Sequence, residues 1–211
     1  MRGLIRFLFF FGVVRPFVVL VLGVNTRYRE RIPAEGPVIF VANHNSHIDT
    51  FVLWSLLPWR LARTFHPVAA ADYFLKTALS RWFFLSVMGI VPIHRDGRGG
   101  KDPLAPLEEV LKAGGLLLLF PEGTRGEPDV MENMRAGIHH LAKRQPEVPV
   151  VPVFLHGCGM ALPKGEALLV PTVVDLVVGE LATFESDRAA YLVHLKERLE
   201  ALGEERGVQL P

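Results

Sequence analysis

Several short stretches of this chain are apolar at almost every position: Val38–Ala42, Leu116–Phe120, Val148–Leu155 and Val173–Val178. A strand turns successive side chains to opposite faces, so a run that is apolar at odd and even positions alike leaves no face for water. Such strands belong inside a sheet covered on both sides, and they need helices to cover them. The intervening segments supply helical periodicity. Helices are predicted over Ile48–Leu57, ended by Pro58, and over Asp72–Leu79. Others are expected from Asp102-Pro103 to Lys112, closed by Gly114-Gly115, and over Met131–Arg144 and Ser186–Gly203. Phe65–Ala70 and Gly89–Ile93 read as further strands, the latter after an ambiguous apolar stretch from residue 81. Val150-Val151-Pro152-Val153 suggests a strand whose proline sits at an edge or a bulge. The pattern predicts a single α/β domain with a mixed, mostly parallel sheet between helical layers. A length of 211 residues suits one such domain.

In sheets of this kind, sites gather beyond the carboxyl ends of the strands. Two chemically loaded strings stand there. After Ala42 comes Asn43-His44-Asn45-Ser46-His47-Ile48-Asp49, and Phe120 leads into Pro121-Glu122-Gly123-Thr124-Arg125. If the chain turns into a helix near Ile48, Asp49 can fold back on His44. A carboxylate on one ring nitrogen fixes the tautomer and leaves the other nitrogen free to take a proton from a hydroxyl. That is two-thirds of a nucleophilic triad with no enzyme nucleophile, which points to transfer onto a substrate alcohol. Ser46 is expected to cap the helix with its hydroxyl. In the second string Gly123 allows close backbone approach, and Thr124 and the backbone offer donors. Arg125 brings a planar fork suited to phosphate. Glu122 is expected to pin the loop or Arg125, or to accept from a substrate hydroxyl. Arg95 ends a short apolar strand, and Arg135 lies in the helix expected after the loop.

Other chemistries are poorly represented. The chain has no Gly-x-Ser-x-Gly elbow, Walker-A loop or Gly-x-Gly-x-x-Gly. His139-His140 and His44/His47 lack the spacing of a zinc site, so no metal is expected. With 23 basic and 22 acidic residues there is no basic field for nucleic acid. The one cysteine, Cys158, reads as a small buried hydrophobe in a reducing compartment.

Residues 4–24 are apolar except for Arg6 and Arg15. Spanning a bilayer would place Arg15 mid-segment, at roughly 2.5–3.5 kcal/mol, with Pro16 beside it. The reading preferred is a monotopic anchor broken at Arg15-Pro16 into two helical pieces lying in one leaflet. Arg2, Arg6, Arg27, Arg29 and Arg31 would then face anionic headgroups. The chain therefore divides into a membrane-associated helical segment, 1–31, and an α/β domain, 32–211.

Together these strings resemble the glycerolipid acyltransferase family, which includes the 1-acylglycerol-3-phosphate acyltransferases. An Asn-His-x4-Asp block is matched by Asn43, His44 and Asp49, with Ser46 at the usual serine. A Gly-x-x-x-Ile-x-Arg block is matched by Gly89, Ile93 and Arg95. Phe-Pro-Glu-Gly-Thr-Arg is matched unchanged at 120–125, and a Val-Pro-Val strand at 151–153. His47 stands where many relatives have an aromatic or aliphatic residue, and Arg135 where they often have lysine.

The resemblance implies that His44, oriented by Asp49, deprotonates the hydroxyl of a lysophospholipid. That oxygen would attack an acyl thioester of coenzyme A or acyl carrier protein, used as co-substrate with no cofactor. Arg95 and Arg125 would hold the acceptor phosphate, with Glu122, Gly123 and Thr124 shaping that site. Asn43, Ser46 and Arg135 would support them. Lysophosphatidic acid is the expected acceptor, the phospholipid membrane the expected partner, and the cytoplasmic side the expected place of the domain. Another acceptor, such as glycerol 3-phosphate or a lyso-aminolipid, and a non-catalytic lipid-binding protein remain the alternatives.

Overall fold

The structure, a computed structural model, describes residues 2–71, 77–93, 102–125, 131, 133–162 and 168–207. Arg95, the Arg2 side chain and the start of the helix expected at Asp72 lie outside the described residues.

Seven strands form one sheet: β1 (Gly23–Arg27), β2 (Val38–Ala42), β3 (Phe65–Ala70), β4 (Val91–Ile93), β5 (Leu116–Leu119), β6 (Val150–His156) and β7 (Val173–Val178). Their order is β1-β7-β6-β2-β5-β3-β4. All neighbours run parallel except β6 and β7. The expected α/β sheet with helices on both faces is thus present, and β2 lies at its centre between β5 and β6.

The unbroken apolar runs explain that placement. Val38, Phe40 and Ala42 point into one core, with Leu116, Leu118, Val151 and Val153. Ile39 and Val41 point into the other, with Leu117 and Val150. Every residue of β2 is buried. The first core is covered by α1 (Arg2–Phe9), α2 (Arg15–Val21), α3 (Asp49–Leu56) and α4 (Trp59–Ala62), and by α5 (Ala78–Phe83) with its continuation Phe84–Met88. The second is covered by α6 (Ala105–Lys112), α7 (Gly137–Arg144) and a long closing helix, Arg188–Gly207.

Several expectations need correction. The segment 1–31 is helical only as far as Val21, because Gly23–Arg27 joins the sheet as edge strand β1. Its apolar content is low, and its place is secured by pairing with β7, including an Asn25 Nδ2 to Asp175 Oδ1 bond of 3.1 Å across paired residues. Arg15-Pro16 does not break the N-terminal helix. A π-helical turn, Phe10–Val14, opens the ladder just where the proline removes an N–H and crowds the preceding turn. Phe10, Val14, Val18 and Leu22 then form a buried stripe along the helix and beyond its end.

Four of the arginines expected at headgroups, Arg6, Arg27, Arg29 and Arg31, are instead bonded to carbonyls of the protein. Arg6 is only 6% exposed and donates to the carbonyls of Ala62 and Phe65. Arg27 donates to Glu205 O, Arg29 to Leu56 O and Arg31 to Val178 O. Pro152 lies in central strand β6, not at an edge. Its missing donor falls between the β7 ladder, which starts at Val153, and an isolated bridge from Val150 to Ala182.

Candidate active site

The parallel directions of β2, β5 and β6 bring the residues after Ala42, Leu119 and His156 to one edge of the sheet. Asn43 continues β2 by side chain. Its amide donates to Leu155 O at 2.8 Å and accepts from Leu155 N at 2.7 Å, copying a backbone pair onto β6. The loop is thereby fixed one residue before His44.

Asp49 opens α3 and is fully buried. Its Oδ2 accepts from the Asn45 N–H at 2.8 Å and the Ser46 N–H at 2.8 Å. The same oxygen lies 2.9 Å from His44 Nδ1. A carboxylate already holding two N–H donors calls for a third, so Nδ1 carries the proton and Nε2 is left as an acceptor. Phe120 stacks on the imidazole, with ring centroids 3.9 Å apart and planes at 18°. The His44 side chain remains 18% exposed, so a ligand can reach it.

Ser46 does not serve as the main helix cap. Its hydroxyl donates to Leu162 O at 2.8 Å, while its contact with the Ile48 N–H is long, at 3.5 Å. Asp49 closes the turn instead. The Ser46 proton is therefore directed away from His44, which fits a site without an enzyme nucleophile.

The second loop is tied to the first by Glu122. Its side chain is buried, and Oε1 accepts the His44 backbone N–H at 2.9 Å. Gly123 follows with φ of +74°, where a Cβ would strike the Arg135 side chain. Arg135 donates from Nε to Glu122 O at 3.2 Å and from its backbone N–H to Pro121 O at 2.8 Å. That second bond keeps Arg135 out of the helix expected from Met131, which begins only at Gly137. Glu122, Met131, Asn133, Met134 and Arg135 line an open hollow of about 520 Å³. Thr124 is exposed and Arg125 half-buried. Burial lowers the pKa of His47 from its usual 6.5, and the Arg125 charge and the neighbouring His44 lower it further against the opposing pull of Asp49. The Arg125 charge is therefore felt in the first loop.

Asn45, the Phe120 stack and the anchoring carbonyls of Leu155 and Leu162 were not singled out from sequence. Asn45 and the carbonyls act through backbone groups, which carry no residue signature.

The family model described as Acyltransferase matches residues 23–156, which contain both loops. The chain belongs to the acyltransferase family. Among its relatives, a chloroplastic 1-acyl-sn-glycerol-3-phosphate acyltransferase of Arabidopsis thaliana is 31% identical over 144 residues, covering 67% of this chain and 38% of its own length. The chain thus spans well under half of that relative. A 1-acyl-sn-glycerol-3-phosphate acyltransferase of Bacillus subtilis is 27% identical over 187 residues, covering 86% of this chain and 83% of its own. This acyltransferase fold is shared with the crystal structure of the 1-acyl-sn-glycerophosphate (LPA) acyltransferase from Thermotoga maritima. The TM-score is 0.78 at 23% identity, over 98% of this chain and 83% of that one.

Proposed function

We propose that this acyltransferase moves a fatty acyl group from a thioester to the free hydroxyl of lysophosphatidic acid, giving phosphatidic acid. The observation that carries the reading is the His44–Asp49 pair with Nε2 available. His44 takes the proton of the acceptor hydroxyl as its oxygen bonds to the thioester carbon. The carbon–sulfur bond then breaks, and the proton passes to the departing thiolate of coenzyme A or acyl carrier protein. Asp49 holds the imidazole and balances its charge. No covalent acyl-enzyme is needed, in keeping with the engagement of Ser46 by Leu162.

Arg125, with Arg95, binds the acceptor phosphate. Gly123 and Thr124 shape the hollow, and Glu122 and Arg135 hold its floor. Asn43 and Ser46 fix the loop that carries His44. The acceptor is taken from the relatives, which are named 1-acyl-sn-glycerol-3-phosphate acyltransferases.

A lipid acceptor favours a protein that rests on its membrane. The helix Gly3–Val21 is long and apolar enough to cross one, with mean hydropathy 2.2. Its buried stripe, however, is docked lengthwise on the domain, and a crossing helix would have to strip that stripe away. This supports a monotopic arrangement in one leaflet, on the cytoplasmic side where both acyl carriers are found. The test is a membrane-fraction assay crossing phosphorylated and non-phosphorylated acceptors with acyl-CoA and acyl carrier protein donors. Transfer to lysophosphatidic acid is expected from a thioester donor. Activity confined to acceptors without phosphate would remove the roles given to Arg95 and Arg125.

A further inference from the structure

Helix Ala78–Met88 is apolar and packs directly against the N-terminal helix. Phe9 and Phe83 meet edge to face at 5.3 Å, and the Arg6 guanidinium lies against Gly89, whose φ of +71° ends the turn. Its inward side is supplied by Phe83, Phe84, Val87 and Met88, buried or half-buried. The outward side is unusual. Leu79 is 75% exposed, Trp82 47% and Leu85 39%, at a spacing of three residues that aligns them on one stripe. On the part of the N-terminal helix that packs against Ala78–Met88, Leu4 and Leu8 are 62% and 59% exposed. Both helices belong to the outer layer over the same core, so their exposed sides form one apolar surface.

The charges on this surface have one sign. From Leu4 to Thr26, and again from Thr77 to Ile93, the charged residues are Arg6, Arg15 and Arg81, of which Arg6 is buried and Arg15 and Arg81 are exposed. The closing helix on the opposite side of the sheet is instead rich in Glu and Arg. At about 1.5 Å per residue, Ala78–Met88 spans roughly 16 Å against a hydrocarbon core of roughly 30 Å, so it can lie in a bilayer but not cross it. We propose that Ala78–Met88 is a second membrane-contacting element, seated with the N-terminal helix in an anionic phospholipid leaflet. Trp82 sits at headgroup depth and Arg81 reaches lipid phosphates. This rests on the monotopic reading above and extends it: the membrane face is made by two elements far apart in sequence.

The fully buried Cys158 permits single-site labelling of the whole chain. Leu79→Cys, Leu85→Cys, Leu8→Cys and, as a control on the opposite side, Glu204→Cys each take an environment-sensitive fluorophore. They are bound to vesicles of equal parts phosphatidylcholine and phosphatidylglycerol. Labels at 8, 79 and 85 should shift to the blue, be quenched by nitroxide lipids and lose access to aqueous iodide. The label at 204 should stay accessible. Labels at 79 and 85 that remain open to iodide while 8 is shielded overturn the proposal and leave the anchor intact. If 8 is open as well, both readings fail. Shielding that develops without vesicles and follows protein concentration assigns the face to a second copy and also overturns it. The pair Leu79→Ser, Trp82→Ser should weaken vesicle binding about tenfold while leaving transfer to a monomeric short-chain acceptor unchanged. Unaltered vesicle binding by that variant contradicts the proposal.

Discussion

The loops after β2 and β5 form the two halves of the site, and they are held by different means. The first is organised from within. One oxygen of buried Asp49 gathers the backbone of Asn45 and Ser46 and the ring of His44, while Asn43 and Ser46 fasten the loop to the Leu155 and Leu162 carbonyls. The second is organised from outside, on Arg135, and turns at Gly123, with Thr124 exposed and an open hollow lined by Glu122 and Arg135. The Glu122–His44 bond joins them. Proton transfer demands a fixed ring, and a rigid loop provides it. Binding a headgroup demands access and donors, and the open loop provides those.

The largest effect should follow from breaking the organising carboxylate. Asp49→Asn weakens the acceptor shared by three N–H groups and favours the wrong imidazole tautomer. Turnover should fall about 10³- to 10⁴-fold with little change in acceptor KM. A loss confined to KM would move Asp49 into the binding half.

Arg125→Gln should act in the opposite way. Loss of a charge-assisted contact to phosphate should raise the acceptor KM about 10- to 100-fold, with a much smaller change in turnover. Equal losses on phosphorylated and non-phosphorylated acceptors would show that the guanidinium does not read phosphate.

The bridge between the halves can be tested through stability. Glu122→Gln keeps an oxygen for the His44 N–H and should unfold in urea close to the parent. Glu122→Ala takes the acceptor from that part-buried N–H and should cost about 1–3 kcal/mol. Identical stabilities would mean that the bridge is dispensable.

The smallest expected effect is that of pH. Burial lowers the pKa of His47 and of His66, which also donates to Gly89 O at 2.7 Å. The unfolded chain takes up these protons near the ordinary value of 6.5 and the folded chain only below it. Stability is therefore intact above that value and declines as pH falls toward and through the lowered folded values. The urea midpoint should drop on acidification, and His66→Gln should flatten part of that drop.

Legibility from sequence followed the location of the signal. β2, β5 and β7 could be read because burial on both faces writes itself into continuous Val, Leu and Ile. His44 and Asp49 could be read because their chemistry resides in side chains placed just beyond a strand. β1 escaped because Gly23-Val24-Asn25-Thr26-Arg27 owes its conformation to a partner 150 residues away, as in the Asn25–Asp175 bond. Arg6 was assigned to lipid headgroups because a basic residue in an apolar run suggests them, whereas two carbonyl acceptors at Ala62 and Phe65 are invisible in one dimension. Arg135 was placed in a helix because its neighbours favour one, and a single bond to Pro121 O delays that helix.

The central claim is that His44 supplies the base and that the acceptor alcohol is the only nucleophile. It is tested most directly by the transfer rate of purified His44→Ala with lysophosphatidic acid and an acyl thioester, at matched urea stability. A fall of about 10³-fold or more is predicted, with no acylated protein trapped in the parent when acceptor is withheld. Parent-like transfer by His44→Ala, or a stable acyl-enzyme in the parent, would contradict it.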